Sequence, residues 1–125
     1  MPRLRFITRN IGFEAQLLDS HTTRQLIKTL PCQSTVNTWG DEIYFQVAVN
    51  CALDENAQQV VDAGTVGFWT EGQCLAIPFG PTPISHDQEC RLAARVNILG
   101  KIIGNPKQLK VIEAGEQIEI RLITD

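Results

Sequence analysis

The densest set of chemically able side chains in this sequence is the loop Ser85-His86-Asp87-Gln88-Glu89-Cys90, which brings imidazole, carboxylate and thiol together. All are metal-ligand types, yet ligands crowded into one polar loop lack the outer partners that orient imidazole and carboxylate. The segment reads as a solvated loop, and neither a metal nor a cofactor is expected. His21 follows Ser20 at a helix start with no nucleophile for it to activate, and it reads as a surface residue. The four cysteines, Cys32, Cys51, Cys74 and Cys90, form no CxxC pair and so lack the spacing of a zinc ribbon or a redox dithiol. They read as unpaired, with Cys74 a small buried hydrophobe inside an apolar run. There is no GxSxG, no phosphate loop and no dinucleotide fingerprint.

Aromatic segments offer a different chemistry. Asn37-Thr38-Trp39, with Tyr44 and Phe45, sets polar groups and aromatics beside the turn Gly40-Asp41. A ligand groove with an apolar floor and a few orienting hydrogen bonds needs such a mixture. Trp39 packing over one end of the fold, with Asn37 satisfying a turn, would use the same residues. The corner Phe79-Gly80-Pro81-Thr82-Pro83 is stiffened by its prolines and presents the Thr82 hydroxyl, so it suits either a groove rim or a rigid crossover. Trp69 and Phe79, large aromatics at strand spacing, read first as core.

The elements that must carry these residues are mostly strands. Residues 3 to 8 alternate, and Phe13, Ala15 and Leu17 share a face after Asn10-Ile11-Gly12, which predicts an antiparallel hairpin. Ser20 offers an N-cap to a helix over about 21 to 30, with Leu26, Ile27 and Leu30 on one side and Pro31 as its stop. Residues 35 to 38 and 42 to 47 flank Gly40-Asp41 as two short strands, and the polar stretch 54 to 59 breaks the pattern. Residues 65 to 69 and 73 to 77 enclose Glu71-Gly72 as a hairpin, and 94 to 103 is the longest strand. Asn105-Pro106 opens a second short helix carrying Leu109 and Ile112 that ends at Gly115, and a last strand over 117 to 123 points Ile118, Ile120 and Leu122 inward. The sum is a mostly β domain of about eight strands and two short capping helices. A closed barrel satisfies its edges, with an open α+β sandwich as the alternative.

At 125 residues the chain is expected to be a single domain over 1–125, and its 43% apolar and 20% charged residues are ordinary for a packed core. A net charge of -3 gives no basic surface for a phosphate backbone, so nucleic acid is not expected as a partner. No apolar run is long enough to span a membrane, and the start Met1-Pro2-Arg3-Leu4-Arg5-Phe6 lacks the run of a signal peptide, so a cytoplasmic location is expected.

Residues 36 to 45, Gly67-Phe68-Trp69 and the corner 79 to 83 resemble the cyclophilin-like family of small bacterial and archaeal proteins of unknown function, over nearly the whole chain. Residues 96 to 104 are also similar to a strand of true cyclophilins, which are peptidyl-prolyl isomerases built on an eight-stranded barrel. The resemblance implies a closed cyclophilin-like barrel. True cyclophilins carry a Phe-His-Arg strand motif whose arginine donates to the prolyl nitrogen; here the corresponding region reads Ile43-Tyr44-Phe45-Gln46-Val47. Rotation about a prolyl amide faces about 18–20 kcal/mol. Exchanging guanidinium for the neutral Gln46 amide forfeits about 1–2 kcal/mol, or roughly ten- to thirty-fold in rate.

Two readings from different classes follow, and a third stands beside them. The first is a non-catalytic module that binds a small molecule or short peptide in a groove formed by Asn37, Thr38, Trp39, Tyr44, Phe45, Phe79 and Thr82. The second is a weak prolyl isomerase whose donor is Gln46, Arg91 or Arg95. The third is an interaction subunit of a larger assembly. The sequence leaves the ligand and the oligomeric state open.

Overall fold

Apolar alternation in the first seventeen residues produces the expected hairpin. In the computed structural model, which describes residues 2–123, β1 (Arg3–Ile7) pairs antiparallel with β2 (Gly12–Leu17), Phe6 opposite Phe13 and Leu4 opposite Ala15. These four side chains and Leu17 are buried, while Arg5 and Glu14 meet at 3.1 Å on the other face. Phe6 stacks on Phe13 with ring centroids 4.7 Å apart and meets the ring of Phe45 edge-on at 6.1 Å, which centres the main core.

Ser20 caps α1 (His21–Ile27), its Oγ accepting from the Thr23 amide at 3.1 Å. The helix stops three residues short of the expected end because Thr29 and Leu30 bond back only three residues, to Leu26 and Ile27, the tightened turn common at helix ends. The second helix is a 3-10 segment, Pro106–Val111, capped by Asn105 and burying Leu109.

The remaining strands are β3 (Cys32–Thr35), β4 (Asn37–Thr38), β5 (Glu42–Gln46), β6 (Gln58–Val61), β7 (Thr65–Trp69), β8 (Cys74–Pro78), β9 (Cys90–Ile102) and β10 (Gln117–Ile123). The hydrogen-bonded order is β3-β10-β1-β2-β9-β7-β8-β5-β4, with β6 pairing β9 off this path. The fold is therefore mostly β with two short helices among the described residues, as expected, but those residues form ten strands rather than about eight. The hydrogen-bonded path is open at β3 and β4, so it is not the closed barrel expected. Those two terminal strands are consecutive in the chain, separated by Val36 alone, so the sheet curls until its ends meet. Val36 is buried in the core, donates to the Glu116 carbonyl at 2.8 Å and accepts from the Gly115 amide at 2.8 Å.

Three further expectations are corrected. The polar stretch after Asp54 runs into β6, which the sequence pattern did not mark. The long strand begins at Cys90, inside what reads as a polar loop, because Cys90 and Arg91 pair with Val61 and Val60. Leu122 is 43% exposed rather than inward, because β3 stops opposite Ile120 and does not reach it. The link from β5 to β6 is tied down by fully buried Asn97: its Oδ1 accepts from the Asp54 amide at 2.7 Å, and its Nδ2 donates to Ala52 O and Thr22 Oγ1.

Candidate functional site

Strand alternation sends Ile43 and Phe45 of β5 into the main core and leaves Glu42, Tyr44 and Gln46 on the outer face. On that face Tyr44 stands opposite Ala76 of β8, and Ala76 stands opposite Gly67 of β7. The sheet therefore presents a tyrosine, a methyl and bare backbone in one row, which makes a recess. Strand β9 covers it. Its second half pairs with β7 and β2, whereas its first half leaves the main sheet to pair with β6. The crossing is close: a Cβ on Gly67 would stand 2.5 Å from Val96 Cγ2. Val61, Cys90, Leu92 and Val96 form a second small apolar cluster there, with Trp69 packed against it.

Between floor and cover lies a cavity of about 170 Å³, walled by Trp39, Tyr44 and Trp69 and by Leu92, Ala93, Ala94 and Val96 of β9. Trp39 reaches it from the β4–β5 turn, where its amide donates to the Glu42 carbonyl at 3.0 Å. The Trp69 ring lies over Gly72, where no side chain interferes.

Glu42 also lines this cavity. Although it sits on the outer face it is only 5% exposed, and its Oε1 is buried without a hydrogen-bond partner. The Trp69 Nε1–H is buried and unpartnered as well. Burial pushes the Glu42 carboxyl up from 4.5 to about 7, since a charge held away from water without a counter-charge is disfavoured. The nearby Cys74 thiol is raised by its own burial and by the Glu42 charge. A buried donor and a buried acceptor beside aromatic walls can orient a small ligand by hydrogen bonds while burying its apolar body.

Of the residues singled out in the sequence, Trp39 and Tyr44 come together here. Asn37 and Thr38 are exposed on β4, outside the cavity lining. Phe45 and Phe79 belong to the main core. The Thr82 hydroxyl donates to the Arg91 carbonyl and lies 3.2 Å from Ser85 Oγ. Gln46 is exposed, in a different depression beside Gln33 and Gln73. Arg91 is held by Glu89 at 2.7 Å, and Arg95 Nε points to the Ala57 carbonyl at 3.4 Å. The cavity's polar anchor, Glu42, went unmarked in the sequence because alternation makes it an ordinary outward residue. Trp69 was read as core. Glu89 of the polar loop accepts from the His86 amide, and all four cysteines are free, Cys51, Cys74 and Cys90 buried and Cys32 half-buried. Among the described residues no helix is long and apolar enough to cross a membrane.

Comparison with known proteins supplies a family. Residues 2–121 match the family described as Cyclophilin-like. A hypothetical protein of Archaeoglobus fulgidus, solved in solution, is 36% identical, with a TM-score of 0.81 over 96% of this chain and 93% of its own. McbB, solved in complex with tryptophan, shares the fold at a TM-score of 0.64 but only 14% identity; the match covers 98% of this chain and 46% of McbB. No curated protein matches the chain. On the family match and the archaeal relative together, the chain belongs to the cyclophilin-like family.

Proposed function

We propose that the protein is a non-catalytic binding module that holds a small molecule in the cavity between the outer face of β5, β8 and β7 and the crossing half of β9. The observation that carries this reading is that two residues lining one aromatic-walled cavity, Glu42 and Trp69, each hold a buried polar atom without a partner, a carboxyl oxygen and an indole N–H. Unsatisfied buried polar groups cost about 1–3 kcal/mol each, and a ligand that met both would recover part of that. The cavity volume of about 170 Å³ suits a ligand of about one aromatic ring, since an apolar cavity of about 150 Å³ admits benzene. A peptide segment is larger. The prolyl isomerase reading has no comparable support, because no arginine lines the cavity and Arg91 is engaged by Glu89.

The test is a single-ring fragment screen followed by the two tryptophan indole N–H resonances. Binding that shifts the Trp69 indole and is lost in Ala94→Leu, which fills the cavity, is expected. Fragments that shift only resonances away from this cavity would overturn the reading. Faster cis–trans exchange of a proline peptide in the presence of catalytic protein would replace it with the isomerase.

A further inference from the structure

We infer that the ligand class of this cavity is a compact organic ammonium: a protonated amine whose N–H donates to Glu42 Oε1 while its apolar body lies among Trp39, Tyr44 and Trp69. This deepens the binding reading above and rests on it.

The charge argument comes first. No lysine, arginine or histidine lines the cavity, so the walls supply no counter-charge to Glu42. An anion would meet a like charge there in a low-dielectric setting, which is strongly unfavourable. A neutral ligand would leave the carboxylate charge uncompensated or require the carboxyl to stay protonated. An ammonium supplies both the missing donor and the missing charge, and the resulting hydrogen bond is of the stronger, charge-assisted kind.

The aromatic walls point the same way. Two tryptophans and a tyrosine surround the site, and aromatic faces attract cations through their ring quadrupole, tryptophan most of all. That attraction strengthens where water is excluded, and aromatic side chains beside a carboxylate are the groups from which sites for organic ammonium ions are built. The small side chain of Ala76 on the cavity floor leaves room for the body of the ligand. The indole N–H of Trp69 remains for an oxygen elsewhere on it, so an amine with a nearby hydroxyl or carbonyl satisfies both orphaned groups.

The test compares benzylamine with benzyl alcohol, which have nearly the same shape and differ in charge, by titration against the Trp39 and Trp69 indole resonances. Benzylamine is expected to bind at least about tenfold more tightly than benzyl alcohol, as a charge-assisted bond should give. In Glu42→Gln the preference should collapse towards one. If the wild-type protein binds the two equally, the ammonium class is overturned and the small-molecule reading stands. Failure of both probes to move either indole resonance would overturn the two readings together. The wild-type comparison decides the matter even if Glu42→Gln does not fold.

Discussion

Glu42 is held where a carboxylate is least comfortable, and the stability of the whole protein should register it. Its carboxyl is raised from 4.5 to about 7 by burial, so between those values the folded protein keeps a proton that the unfolded chain has released. Stability from this group is therefore fully present below pH 4.5, falls as pH rises through about 7, and is constant above that. The loss amounts to about 3 kcal/mol. Glu42→Gln removes the titration. Urea denaturation should find the variant more stable than wild type at about pH 8 by an amount approaching 3 kcal/mol, with the gap closing near pH 4.5. A gap independent of pH would mean that Glu42 is solvated in the folded protein. The position looked unremarkable in the sequence because it occupies an outward strand site; the β9 residues that line the cavity with it lie about fifty residues further along.

At the scale of elements, the site depends on how closely β9 crosses β7. Gly67→Ala places a methyl 2.5 Å from Val96 Cγ2, so β9 must move away. Overpacking of this kind costs about 1–3 kcal/mol, and denaturation should show that loss together with weakened fragment binding; an unchanged protein would mean that the crossing has slack. Local signals did reveal several elements. Ser20 and Asn105 capped their helices as read, and the alternation of Leu4, Phe6, Phe13 and Ala15 set the first hairpin. Two elements whose pairing is long-range escaped. Strand β6 has a polar, half-exposed sequence and exists because β9 offers it an edge, and the start of β9 is disguised by the polar residues before it. The candidate site was half legible for the same reason. Trp39 and Tyr44 lie beside a recognisable turn, whereas Trp69, Ala76 and the β9 residues join them only through the tertiary crossing.

Taken as a whole, the molecule has two apolar clusters of unequal size that share one thirteen-residue strand. The larger is spread over most of the sheet; the smaller is Val61, Cys90, Leu92 and Val96. Regions with fewer buried contacts open at lower free energy, so the β6–β9 flap should lift without the main core unfolding. Cys90 sits inside that flap, 4% exposed, and Cys51 sits in the main core. The two apolar clusters thus each contain one buried cysteine, Cys51 in the larger and Cys90 in the smaller. Under a slow alkylating reagent, site-resolved mass spectrometry should find Cys90 modified before Cys51, and a ligand seated beneath β9 should delay Cys90 alone. Equal rates would mean that flap and core open as one. The thiol of Cys90 thus acts as a clock for the flap, timing how long it stays down.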